Sequence, residues 1–469
     1  MTTIPIVSGI YTDNGPDLRV SYPVNMVPTP INSGAGNSFL RPGDGLVQSV
    51  TGPGPDRGGI NWNGVHYRVM GSKLVTISSN NVVTVLGDVG GADDQLVVMD
   101  YSFDLLGIVS NNALWYWNAT TGTLTRNTAL GRVIDACWIE GYWMATDGQF
   151  LFVTDILNPL ATLPFSYDAS ERDPDPINAV LRLRNEVYAI NRNTIEVFDN
   201  VGGGFFPFAP IEGAQIQKGC IGTNASCVFL EAVAFLGGGR NEAPSIYLGA
   251  NATATKISTQ EIDNLLLDYT ETQLAQVNLE ARNDRNHQLL YVHLPDRTVV
   301  YDAAASQALQ QSVWYTLTSS VVGFSQYRAK NFVWCFDKWF AGDPQSNAVG
   351  YVDRDISTHW GQKVRWEFGT PIVYNKTNGA IFHELELTAL PGRVAIGVDP
   401  QISTSYSPNG LSWSQPKYIR IGSTGDREKR LVWRQQGFMR NWRVQRFQGD
   451  SDSHLSAMNL EIRVEPLAY

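Results

Sequence analysis

Long apolar runs are missing from this chain of 469 residues. No window comes near eighteen consecutive apolar residues, so no segment reads as a membrane-spanning helix. The opening MTTIPIVSGIYTDNGPDLRV lacks the basic segment and apolar block of a secretory leader. Cysteine is scarce too. Cys137, Cys220, Cys227 and Cys335 show no Cys-x-x-Cys spacing, which argues for small buried side chains made in a reducing cytosol rather than a disulfide framework. Without a secretory route, the Asn-x-Ser/Thr triplets at Asn118, Asn224 and Asn251 are turn composition. Charged residues make up only 17%, while Gly (43), Tyr (19) and Trp (13) are plentiful. That mix favours strands and turns over long helices.

What the chain does have is repetition. Between about residues 60 and 355 a unit of short apolar strand, tight Asn or Gly turn and second apolar or aromatic strand recurs, as in LLGIVSNNALWYW and AVLRLRNEVYAINRNTIEVFD. Seven such units can be aligned on Val65, Leu105, Cys137, Val180, Cys227, His287 and Asn331. Their mean spacing of about 44 residues is that of a four-stranded propeller blade. Blades stacked radially bury both faces of sheets too small to stand alone. The expectation is a mostly β protein with a propeller of six to seven blades over residues 60–355. STQEIDNLLLDYT interrupts it with a short helical insertion near 258–270, in which Ser258 and Glu261 have capping-box spacing. Residues 1–59 hold Pro23, Pro28, Pro30 and Pro42, which forbid a helix and favour an extended arm. Residues 356–469 alternate as strands in HELELTAL, RVAIGVD, SWSQPKYIRIG, KRLVWRQ, WRVQRFQ and LEIRVEPL, the pattern of a β-sandwich. Arm and sandwich together are expected to form a platform.

Catalytic signatures are weak. FHELEL has the His-Glu of a zinc helix, but Leu387 stands where a second histidine belongs, so no metal site is expected. The glycine runs near 203 and 238 lack a P-loop Lys-Ser/Thr, and no cofactor is expected. Asp173 and Asp175 are paired carboxylates of the kind a glycosidase uses, yet Pro174 and Pro176 make them an exposed turn. Asn409-Gly410 reads as a type I′ hairpin turn. These residues point away from an enzyme. The rival reading is a propeller enzyme or glycan-binding protein such as a polysaccharide depolymerase.

YPVNMVPTP, QKGCIGTN, APSIYLGANATATKISTQEIDNLLLDYT, NHQLLYVHLPDRTVVYDAAASQ and REKRLVWRQQGFMRNWRVQRF, in this order from Tyr22 to Phe447, carry a resemblance. The chain resembles the tail hub or nozzle family, also called packaged-DNA stabilisation proteins, of short-tailed bacteriophages. The resemblance implies a structural virion protein of the viral tail, assembled in the host cytoplasm. It implies a homo-hexamer that continues the DNA channel beneath the portal adaptor and retains the packaged double-stranded DNA. Tailspikes or fibres would attach at its side, and a needle or tip would close it. The chain departs from the family pattern between Ser166 and Pro176 and around the glycine runs, which bears on spike contacts and distal closure.

Charge then marks a candidate surface. The chain carries a net charge of -10, yet nine Lys or Arg lie between Lys417 and Arg446 against only Asp426 and Glu428. Three readings compete. The cations line the channel and grip phosphates, or pair with acids of a neighbouring subunit or adaptor, or form the solvated face of alternating strands, Arg430 and Arg434 outward and Leu431 and Trp433 inward. The aromatic neighbours favour the second. The expected assembly residues are Lys429, Arg430, Trp433, Arg434, Arg440, Trp442, Arg443 and Arg446, with Tyr22, Pro23, Asn25 and Met26 of the arm.

Overall fold

A computed structural model describes residues 2–7, 9–13, 18–31, 38–156, 158–162, 166–170, 175–375 and 378–467. Seven small antiparallel sheets follow one another along the chain. Six are continuous blades whose innermost strands are Asp56–Trp62, Val98–Tyr101, Asp135–Ile139, Ile177–Leu183, Ser226–Phe229 and Asn278–Asp284. The seventh takes three strands from Lys330–Cys335, Lys338–Gly342 and Ala348–Asp353, and its outer strand is Gly45–Thr51. Residues 45–51, expected with the arm, thus close the propeller. Lys330–Cys335 packs beside Asp56–Trp62, which completes the ring. Each of the seven sequence anchors falls in a different blade. Val65, Leu105 and His287 begin second strands while Cys137, Val180, Cys227 and Asn331 lie on innermost ones, and this slip of phase made the intervals uneven.

Apolar residues alone do not hold neighbouring blades together. Polar side chains of innermost strands cross-brace them: Asp100 accepts from the Trp138 amide at 2.8 Å, Asp135 from Val180 at 2.7 Å, and Glu280 from both Asn331 and Phe332 at 2.9 Å. Backbone groups near the axis have no further strand to bond, so a buried carboxylate supplies the missing acceptor. Burial raises the Asp135 carboxyl to about 7.

The helical insertion forms Gln260–Leu266, with Ile262 and Leu266 buried in the core of the fourth to sixth blades. The Ser258–Glu261 box does not form. Thr259 is the N-cap, and the Ser258 hydroxyl instead accepts from the Ile246 amide and bonds Asp263. A capping box appears instead in the next helix, Glu271–Leu274, between its N-cap Thr270 and Gln273.

The other unit is a two-sheet sandwich. One sheet runs Met26–Pro30, Ser38–Pro42, Ser456–Pro466, Ala380–Leu390 and Leu431–Arg434, joined by Thr2–Ile4 and Phe438–Met439. The facing sheet runs Arg365–Gly369, Trp442–Asp450, Gln401–Ser407 and Lys417–Arg420, joined by Val373–Tyr374. Between them lie Met26, Leu40, Trp366, Phe368, Phe382, Leu385, Trp433, Phe447 and Leu460. Strands from both chain ends therefore share one core. RVAIGVD is not a strand: Ile396 is 91% exposed in a turn, and the missing strand is Gln401–Ser407. At Asn409-Gly410 only the glycine takes a positive φ, and the Asn409 carboxamide accepts from Leu411 and Ser412, an Asx turn rather than type I′.

Candidate assembly surface

The basic stretch is divided by the sandwich into an outer and an inner part. Leu431–Arg434 is the edge strand of its sheet, so alternation sends Leu431 and Trp433 inward and Arg430 and Arg434 out. Arg430 forks onto Glu386 of the adjacent strand, Nε to Oε1 at 2.7 Å and Nη2 to Oε2 at 2.5 Å. Arg434 lies 3.7 Å from Glu384 and is 81% exposed. Lys429 and Arg440 are exposed. Charged side chains along an open edge also discourage strand-to-strand aggregation.

Trp433 and Arg443 lie inside the subunit. Trp433 packs on Phe447 and donates its indole N–H to the Lys417 carbonyl at 3.0 Å. Arg443 is 1% exposed and lies 4.0 Å from the ring centres of Phe382 and Tyr406. It donates to the Gln436 carbonyl at 2.9 Å and to Gln445 Oε1 at 2.6 Å. No carboxylate among the described residues forms an ion pair with it, and burial pulls its guanidinium down to about 10. Arg446 is half-buried on Trp413 at 3.9 Å, and Trp442 is half-buried. The cluster read as one surface is therefore two sets: Lys429, Arg430, Arg434 and Arg440 outside, Trp433 and Arg443 inside.

The arm residues meet the rest of their own chain. Val24 exchanges backbone bonds with Glu367 of the sandwich at 2.8 and 3.0 Å, while the Thr316 amide of the sixth blade donates to the Pro23 carbonyl at 2.8 Å. Asn25 sits at φ 50, a left-handed conformation asparagine tolerates. Its Nδ2 donates to the Thr318 and Arg365 carbonyls at 2.9 and 2.7 Å, and its Oδ1 accepts from Thr318 N at 3.1 Å. Met26 is fully buried in the sandwich, and the Tyr22 hydroxyl bonds Thr259 of the insertion at 2.6 Å. YPVNM is thus a clasp between propeller and sandwich.

A charged cluster that sequence spacing does not reveal lies beside it. Asp44 pairs with Arg41 at 2.5 Å and Arg282 at 2.6 Å, and Asp284 lies 3.3 Å from both Arg282 and Arg354. Burial would raise the Asp44 carboxyl, but the two arginines outweigh it and hold it well below the usual range. Of the candidate catalytic groups, Asp175 accepts from Asn193 N at 2.5 Å and from the Thr194 hydroxyl at 3.3 Å, a turn brace; Asp173 lies outside the described residues. His383 bonds Glu465 on an exposed strand face, and no metal-holding cluster occurs among the described residues.

Two family models cover these two units in order. One described as "Bacteriophage P22 Gp10, beta-propeller" matches residues 2–357, and one described as "Bacteriophage P22 Gp10, beta-sandwich" matches residues 365–465. The chain belongs to the P22 Gp10 family. A curated relative in the Gp10 family, the tail hub protein gp10 of Salmonella phage P22, is 26% identical over 482 residues, spanning 98% of this chain and 99% of its own length. Among solved structures, the Neurospora crassa Pan2 WD40 domain is 10% identical with a TM-score of 0.42 over 66% of this chain and 95% of that one. The computationally designed Ika8 protein is 10% identical with a TM-score of 0.39 over 65% of this chain and 99% of that one.

Proposed function

We propose that this Gp10-family chain is a structural tail-hub protein of a phage virion, working by assembly rather than catalysis. The match of both family domains, in order and across nearly the whole chain, carries this reading. In the arrangement proposed, six copies form a ring beneath the portal adaptor, continue the DNA channel, retain the genome, and hold spikes or fibres and a needle. The geometry suits such a load. A clasp made of chain from both units, with a buried ion cluster beside it, favours one stiff body over two domains on a linker.

Within that reading, Lys429, Arg430, Arg434 and Arg440 form the docking edge toward a neighbouring copy or the adaptor. Arg430 already has an acid of its own subunit, so a partner would add to the Arg430–Glu386 pair rather than satisfy a lone cation. Arg440 and Lys429 are the freer charges. The test is negative-stain imaging of the purified protein with adaptor-bearing heads. Sixfold rings on the heads are expected, with occupancy reduced by Lys429→Gln plus Arg440→Gln. A protein that stays off the heads would refute the hub reading. Full occupancy of the double variant with altered DNA retention would move these cations from the interface to the channel wall.

A further inference from the structure

The axial mouth of the propeller opens on the face formed by the turns that enter the innermost strands. A cavity of about 570 Å³ lies there, within the size range of small-molecule sites. Its wall mixes apolar residues with amides, among them Asn111, Asn112, Asn224, Gln273 and Gln276, and also holds Asp94 and His293. Lys330, the first residue of the seventh blade's innermost strand, also lines it.

Lys330 is unusual on two counts. The residue is 8% exposed, and its ammonium, which lines the cavity, forms no hydrogen bond or ion pair among the described residues. A buried ammonium without a partner is costly, so such groups are normally paired. The backbone that presents it is also irregular. A register shift separates Lys330 from Val333, and Asn331 between them takes φ 57 inside a strand. Three bonds hold that bulge: Asn331 N to Glu280 at 2.9 Å, its Nδ2 to Asp56 at 2.7 Å, and Arg68 to its carbonyl at 2.7 Å. Asp56 and Arg68 are themselves a fully buried pair at 2.6 Å. Bulges re-aim side chains, and strain held by so many bonds gathers at functional positions.

The nearest acid does not neutralise Lys330. Glu280 is engaged by Asn278, by the Asn331 and Phe332 amides and, at 3.2 Å, by the imidazole of His293. Burial accordingly lowers the Lys330 ammonium despite the pull of Glu280. The cavity that Lys330 lines also presents carboxamides, which both donate to and accept from hydroxyl groups.

We propose that the axial mouth is a binding site for a small anionic polyhydroxylated ligand, a sugar acid, whose carboxylate is held by Lys330 and whose hydroxyls are held by the carboxamides. An anion there would complete the pairing that Lys330 lacks. A neutral sugar would leave the ammonium bare, and a simple inorganic anion would leave the amides unused.

The test uses the purified full chain and isothermal titration calorimetry with D-glucuronate, D-glucose and inorganic phosphate at constant ionic strength. Glucuronate is expected to saturate, with D-glucose and phosphate each weaker by about tenfold or more, since a bond to a charged group is worth roughly that factor. Lys330→Met should weaken glucuronate by a similar factor. Gln276→Glu, an exposed rim change that sets a like charge against the ligand, should do the same without touching the core. Glucuronate failing to saturate, glucose or phosphate binding as well as glucuronate, or unchanged glucuronate affinity in Gln276→Glu and in a folded Lys330→Met would each overturn the proposal.

Discussion

Changing Arg443 to glutamine should destabilise the sandwich rather than merely weaken an assembly surface. The side chain is sandwiched between Phe382 and Tyr406 and donates to the Gln436 carbonyl and Gln445 Oε1. Losing two desolvated cation–π contacts removes about 4 kcal/mol. Leaving the Gln436 carbonyl and Gln445 Oε1 short of donors costs a further roughly 1–3 kcal/mol each. Against this stands relief from burying a charge, of about 3 kcal/mol given a guanidinium lowered to about 10. The net expectation is a loss of about 3 kcal/mol or more. Arg434→Gln, on the exposed edge beside Glu384, should lose under about 1 kcal/mol. Urea unfolding followed by tryptophan fluorescence reads both, because Trp366 and Trp433 lie in the sandwich core. Assembly by Arg443→Gln should follow its stability and recover on cooling. An Arg443→Gln midpoint indistinguishable from that of Arg434→Gln would refute the reasoning.

Three further outcomes are expected. Asn25→Ala removes three bonds and puts alanine at φ 50, so propeller and sandwich should unfold in separate calorimetric transitions; one unchanged transition would show the clasp to be dispensable. His359 and His454, lowered to about 3 and about 4 by burial and nearby arginines, stay neutral in the fold while the unfolded chain takes up protons below about pH 6.5. Stability should therefore fall between about pH 6.5 and 4 relative to a His359→Gln, His454→Gln variant, and parallel pH profiles would contradict this. Asp135 has the opposite sign: its carboxyl, raised to about 7 by burial, keeps its proton in the fold while the unfolded chain loses it above about pH 4, so stability falls as pH rises from about 4 to 7 and levels off above; Asp135→Asn should gain on the native chain across that window, and parallel thermal-unfolding profiles of the two would contradict this.

The basic stretch shows how far a strand pattern can be read. Period-two alternation placed Leu431 and Trp433 inside and Arg430 and Arg434 outside, as found. The same rule had no purchase on Trp442–Asp450, which is a central strand covered on both faces, so that Arg443, Val444 and Gln445 are all buried. A charge on such a strand reads as surface until its neighbours are known. The proline-rich arm was legible as extended chain, but its partners were not, because Thr316 and Arg365 lie some three hundred residues from Asn25.

Composition and spacing by themselves determined the class, the blade repeat and a second β unit, because small antiparallel sheets leave local marks: alternation, turn residues and a regular period. Tertiary structure alone decided which strand closes the ring. Gly45–Thr51 pairs with Ala348–Asp353 across some three hundred residues, and no local signal specifies so distant a neighbour. It alone also decided the turn at Phe336–Asp337, where phenylalanine, which has no leaning toward φ 50, is held there by the pairing of Cys335 with Lys338. Lys330 belongs with these. Its isolation depends on bonds among Asp56, Arg68, Glu280 and Asn331, residues that the closed ring brings together and the linear chain keeps far apart.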